Sequence, residues 1–222
     1  MVRKNIALWS AFFAILFFTI IYMAVMGWEK RIPPAREFFG HSIGIIGFVL
    51  MIMTETLYSL RKRSRRATWG RMSSWLDFHI FTGIVGPYLV LLHTSWKFNG
   101  LAGIVTLFTL IIVASGFVGR YIYTTIPRTV DGAELEINQL EKQISGMSQA
   151  IQSLEHTNRD QARQFKQMVK RKELLQHQAT SLSRSRHMLS LWHAIHIPIG
   201  VVLFTAAFIH IGAALYYATF LH

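Results

Sequence analysis

The chain contains no cysteine among its 222 residues. Disulfide bonds, thiolate-bound iron–sulfur clusters and covalently attached c-type haem are therefore excluded within it. Acidic residues are also scarce, with 11 Asp and Glu against 23 Lys and Arg. No G-x-G-x-x-G segment occurs, so this dinucleotide-binding fingerprint is absent. The composition is instead 52% hydrophobic with a mean hydropathy of +0.34, which is typical of a membrane protein.

Five apolar segments are long enough to cross a hydrocarbon core of about 30 Å, which needs about 20 residues. They cover residues 6–26, 40–60, 76–96, 101–123 and 191–221. We expect the first to be an uncleaved span, because residues 24–28 (Ala-Val-Met-Gly-Trp) lack a clean small-x-small cleavage site. The sequence therefore predicts an all-α integral membrane bundle of five helices.

The basic residues indicate an orientation for these spans. With five spans, the N-terminus shares one side with the loops that follow the second and fourth spans. The basic residues on that side include Arg3, Lys4, Arg61, Lys62, Arg63, Arg65, Arg66 and Arg71. The positive-inside rule then predicts a cytoplasmic N-terminus and an external C-terminus, with the spans in the cytoplasmic (inner) membrane. Topology and contact with anionic lipid explain much of the +12 net charge, so we expect no nucleic-acid partner.

The polar segment between the fourth and fifth spans has a heptad-like apolar seam. Its members are Leu140, Ile144, Met147, Ile151 and Leu154, then Phe165, Met168, Leu175, Ala179 and Leu182. Residues 155–160 are polar and turn-prone, the outgoing arm is acidic, and the return arm is basic. We predict a cytoplasmic antiparallel coiled-coil hairpin over residues 124–190, between spans one to four (1–123) and span five (191–222). It is either a spacer or a docking arm, and His156, His177 and His187 on it read as surface residues.

Two of the spans carry the same histidine pattern. One reads His79-Ile-x-x-Gly83-x-Val followed by His93, and the other reads His196-Ile-x-x-Gly200-x-Val followed by His210. In a helix, fourteen residues return a side chain to within ~40° and move it ~21 Å along the axis. Because spans three and five run in the same direction, His79 pairs in depth with His196, and His93 with His210.

Imidazole is a standard axial ligand of haem iron, and helical bundles build cofactor sites between facing helices. The pattern therefore predicts two b-type haems, each held by two histidines, with Gly83 and Gly200 leaving room for close approach. Another metal, or packing histidines without a cofactor, are the alternatives.

Further residues are candidates for contact with the same sites. His193 competes with His196, but it lies ~100° from His210 around the helix, so a propionate or outer contact suits it better. His41 opens span two and could contact a haem propionate or a quinol headgroup, or be a plain interface histidine. Arg120 is a candidate partner for a propionate or a topological anchor. Glu55 either pairs with nearby arginines or handles protons at a quinone pocket.

With its four histidines and matched glycines, the chain resembles the di-haem membrane cytochromes b. These include respiratory cytochrome b subunits and the transmembrane domain of ferric reductases and NADPH oxidases. The resemblance covers residues 40–123 and 191–217 and implies His79, His93, His196 and His210 as haem ligands. Residues 119–128 (Gly-Arg-Tyr-Ile-Tyr-Thr-Thr-Ile-Pro-Arg) are similar to a group of bacterial membrane cytochromes found with ferredoxin-like and multihaem partners. The chain departs from the ferric reductases in lacking a nucleotide-binding segment, so we do not expect it to take hydride from NADPH by itself.

We therefore expect an electron-transfer subunit of a respiratory oxidoreductase, which exchanges electrons with quinol or with iron–sulfur or multihaem partner subunits. A stand-alone quinol or metal reductase with a pocket near His41 is one alternative. A haem-free membrane anchor that recruits a partner through the hairpin is the other.

Overall fold

The computed structural model describes residues 5–63, 70–124, 137–154 and 159–220. These residues form six α-helices, and no strand occurs among them. The helices are α1 (Ile6–Glu29), α2 (Phe38–Arg63), α3 (Met72–His93), α4 (Gly100–Thr124), α5 (Ile137–Leu154) and α6 (Arg159–Phe220). The chain divides into two compact units, the first formed by Met1–Gly116 with His196–His222 and the second by Phe117–Ile195.

The prediction of an all-α chain with five long apolar helices is confirmed. α1, α2, α3, α4 and the apolar part of α6 are each long and apolar enough to cross a membrane. One predicted boundary differs clearly, because α3 ends at His93 and not at residue 96. Ser95 and Trp96 adopt left-handed backbone conformations, with φ of 50° and 62°, which stop the helix. The Ser95 hydroxyl then donates a hydrogen bond to the carbonyl of Pro33 at 2.6 Å.

In the first unit, α3 packs against both α1 and α2. α1 turns small residues such as Ala11 toward the core, where Val85 and Leu89 of α3 are almost fully buried. The hydroxyls of Thr19 and Tyr88 lie 2.6 Å apart and link the same two helices. Burial of this apolar face fixes α3, the helix of the first histidine pair, between two neighbours.

The apolar end of α6 enters the same unit through a second core cluster. Leu203 and Ala207 of α6 are buried together with Met51 of α2 and Val105 of α4. α6 therefore packs with α2 and α4 through this cluster.

The second unit has a small core of its own. Leu140 of α5 and Leu182 of α6 are 2% and 0% exposed and pack with Leu175, Ala179 and Leu189. Leu140, Leu175, Ala179 and Leu182 belong to the predicted apolar seam. α6 begins at Arg159 and runs unbroken for 62 residues, so the return arm and the fifth apolar segment form one helix. Several predicted features lie outside the described residues: Arg3, Lys4, Arg65, Arg66, the acidic residues Asp131, Glu134, Glu136 and Glu155, most of the turn, and His156.

Candidate histidine sites in the helical bundle

The two histidines of α3 both bind backbone carbonyls of α2 through Nδ1. The Nδ1 atom of His79 lies 3.0 Å from the carbonyl oxygen of Thr54, and that of His93 lies 2.8 Å from the carbonyl oxygen of Gly40. A carbonyl oxygen only accepts, so Nδ1 carries the proton in each of these bonds, and in the neutral imidazole Nε2 then keeps its lone pair. This is the tautomer that a histidine needs when Nε2 binds a metal and Nδ1 is held by an outer partner.

Two histidines from different helices come together near the end of α3. The ring centroids of His41 and His93 are 6.1 Å apart, and the rings are nearly perpendicular at 88°. His41 is exposed, and its Nδ1 lies 3.2 Å from the carbonyl oxygen of Ala35. The pairing of His93 with His210 as iron ligands stays a prediction.

His196 is half-buried and contacts α4. Its Nδ1 lies 3.0 Å from the hydroxyl oxygen of Ser115. Because a hydroxyl both donates and accepts, this contact is compatible with either tautomer of His196. The predicted pairing of His196 with His79, whose described partners are on α2, stays a prediction.

His193 and Arg120 belong to the second unit. The Nδ1 atom of His193 bonds the carbonyl of Leu189 in its own helix at 2.8 Å, and its ring centroid lies 4.7 Å from that of Trp192. Arg120 is half-buried, one turn before the end of α4. Their predicted roles beside a haem stay predictions.

The matched glycines differ in how closely their neighbours approach. A Cβ on Gly83 would stand tightly against Cγ2 of Thr54, at 3.3 Å, whereas one on Gly200 would meet only Cδ1 of Ile112, at 4.0 Å. At Gly86 the approach is closest, because a Cβ there would lie 2.9 Å from the carbonyl oxygen of Gly47. Gly86 therefore serves close packing of helix backbones, Gly83 lies against a side chain of α2, and Gly200 has an ordinary packing distance to its neighbour.

A cavity of about 190 Å³ lies between α1, α3 and α4 in the first unit. Its lining is apolar and includes Ile15, Pro87 and Thr109. A second one, of about 310 Å³, is a groove along α2 beside Glu55 and Ser59. None of the four predicted haem ligands lines either of them. The role of Glu55 in proton handling stays a prediction.

The contacts of the α3 histidines are compatible with axial ligation of a b haem. Among the described residues, no three His, Asp or Glu side chains come together as metal ligands. A b haem needs only two protein ligands, because the porphyrin supplies the equatorial nitrogens. The histidine tautomers fit this requirement.

Sequence reasoning missed the partners that orient these rings. Gly40, Thr54 and Ser115 carry no signal for this role, because any residue offers a backbone carbonyl and serine is common in helices. No family model, curated protein or solved structure matches this chain.

Proposed function

We propose that the chain is a membrane cytochrome b subunit that carries electrons across the bacterial cytoplasmic membrane through two b haems. The observation that supports this most directly is the pair of hydrogen bonds made by the two α3 histidines. Each donates its Nδ1–H to a carbonyl of α2, which leaves Nε2 of the neutral ring available to a metal. The arrangement repeats fourteen residues apart on one helix, the spacing that two axial ligands facing the same way require.

His79 and His196 would hold the inner haem, and His93 and His210 the outer one. Bound haem supplies one-electron redox chemistry, while the protein supplies ligation, orientation and electrostatics. Gly83 and Gly200 would allow close approach to the ligand helices, and His41, His193 and Arg120 are candidates for propionates or outer contacts. Quinol, or an iron–sulfur or multihaem partner subunit, would exchange electrons with these sites.

The second unit would form the cytoplasmic coiled-coil hairpin. The packing of Leu140 on α5 with Leu182 on α6 supports an interhelical seam. Basic side chains are exposed along α6, namely Lys166, Lys170, Arg171, Arg184 and Arg186. An acidic partner surface would complement them, so we favour a docking role over a plain spacer. Copurification of a partner that is lost at high salt would support this role.

Histidine variants of purified full-length protein test the haem assignment. Wild type should contain two haems per chain and show a b-type α-band in the reduced-minus-oxidised spectrum. His93→Ala and His210→Ala should each remove only one haem, and the same one. His79→Ala and His196→Ala should remove the other haem. His177→Ala, at an exposed position of the second unit, is the matched control and should keep both. Wild type without haem, or a single variant that loses both haems or neither, would contradict the assignment.

A further inference from the structure

α2 and α3 match each other in register at both histidines. Gly40 and Thr54, which supply the two carbonyls, are fourteen residues apart, as are His93 and His79. Because the helices run antiparallel, the first carbonyl on α2 meets the last histidine on α3. Equal spacing returns both carbonyls to one face of α2, just as it returns both imidazoles to one face of α3. One alignment of the two helices therefore satisfies both rings.

A close backbone contact sets that alignment halfway between the two bonds. Gly47 lies seven residues from both carbonyl residues, and Gly86 lies seven residues from both histidines. A Cβ on Gly47 would stand 2.8 Å from the carbonyl oxygen of Gly86, so neither position has room for a side chain. The pair holds α2 and α3 at short range and leaves little freedom for them to slide.

The ring surfaces differ between the two ends. The α2 residue that faces each imidazole lies one turn after the residue that supplies the carbonyl. Gly44 faces His93, and Tyr58 faces His79. A Cβ on Gly44 would lie 2.7 Å from both Cγ and Nδ1 of His93, so that ring lies directly on the α2 backbone. The ring of Tyr58 stands 4.9 Å from that of His79, centroid to centroid, at an interplanar angle of 48°.

We propose that α2, which supplies no predicted iron ligand, is the template that fixes the ring planes of both α3 histidines. Gly44 is the positioning residue for His93, and Tyr58 is its counterpart for His79. This inference rests on the proposed function. The inference goes beyond that function, because it assigns the orientation of the axial ligands to a third helix and makes the two sites unequal.

Three alanine variants of the full-length protein separate positioning from general packing. Gly44→Ala places a methyl group against the His93 ring, whereas Gly47→Ala disturbs the same helix interface away from both rings. Gly116→Ala meets nothing within 4 Å and is the control. The gain in helix propensity is common to all three. The readouts are haem per chain and the low-spin ferric EPR spectrum, whose g-values respond to the planes of the axial imidazoles.

Gly44→Ala should shift or remove one of the two low-spin signals, with haem falling from two toward one per chain, and leave the other signal unchanged. Gly116→Ala should match wild type. Unaltered signals in Gly44→Ala, or the same change in Gly44→Ala and Gly47→Ala, would overturn the inference.

Tyr58→Leu provides an independent arm should Gly44→Ala fail to fold. It should change the signal of the haem that His79→Ala removes, and an unchanged signal would overturn the role of α2 at that site. Wild-type protein without haem would instead refute the proposed function, so the two failures are distinguishable.

Discussion

Ser115→Ala should weaken one haem site and leave the other intact. The Ser115 hydroxyl lies 3.0 Å from Nδ1 of His196, and both residues are half-buried. Alanine fits the same helical position but offers nothing to that nitrogen, so the ring loses a partner that limits its rotation. The loss should fall on the site to which His196 contributes.

The size of the effect follows from the kind of bond. A neutral hydrogen bond contributes about 0.5–1.5 kcal/mol net. Loss of an outer partner of a metal-bound histidine typically costs about 10–100-fold in affinity, and each tenfold step is about 1.4 kcal/mol. The free energy of a neutral hydrogen bond and the cost of losing an outer partner overlap at about 1.4 kcal/mol. The lower end of the range of about 10–100-fold applies here, because a hydroxyl is a weaker outer partner than a carboxylate. We therefore expect about a tenfold loss of haem affinity at one site.

Haem transfer from detergent-solubilised protein to an excess of a haem-binding acceptor protein measures this loss. One of the two low-spin EPR signals should decay earlier in Ser115→Ala than in wild type. Ser115→Thr keeps the hydroxyl and should restore retention. Ser10→Ala removes a hydroxyl that bonds only its own helix, at the carbonyl of Ala7, and should behave as wild type. Equal retention in Ser115→Ala and wild type would refute the reasoning, as would an equal loss in Ser10→Ala.

Three further predictions concern stability and do not depend on haem. Leu182→Ala should destabilise the second unit by about 2–5 kcal/mol, because this side chain is 0% exposed. Hydrogen exchange of the backbone amides should become faster in α5 while α3 stays protected, and unchanged exchange in α5 would contradict the prediction. Thr82→Val should cost about 0.5–1.5 kcal/mol in reversible denaturation, because Thr54 donates to the Thr82 hydroxyl at 2.7 Å; a stability equal to wild type would count against the bond. Glu37→Gln should change the free energy of unfolding by less than about 1 kcal/mol even at low salt, because the ion pair of Glu37 with Arg31 is largely exposed. A large drop in Tm would contradict this, because it would show that the pair contributes more than exposed ion pairs usually do.

The helices could be predicted because length and apolar composition alone select them. The end of α3 could not, because it depends on the left-handed backbone at Ser95 and on the bond from its hydroxyl to Pro33. The continuity of the return arm with the last span could not be predicted either. Hydropathy changes near residue 190, but no glycine or proline stops the helix there, so polar and apolar stretches continue as one.

The histidine sites were predictable only in part. Their spacing along each helix is written in the sequence, and so is the depth at which each imidazole falls. Their orientation is not, because Gly40 and Thr54 act through backbone carbonyls, which are identical in every residue. The role of Gly44 depends on which helix neighbours α3, and a single sequence does not reveal that neighbour.

Pro87 removes one backbone hydrogen bond from the middle of α3. It cannot donate the bond that would reach the carbonyl of Gly83, so the helix lacks this bond midway between His79 and His93. The two residues that flank the proline contact different neighbours. Gly86 rests against the backbone of Gly47 on α2, and the hydroxyl of Tyr88 lies 2.6 Å from that of Thr19 on α1. Contacts with both neighbouring helices therefore stabilise the one turn of α3 that its own backbone stabilises least.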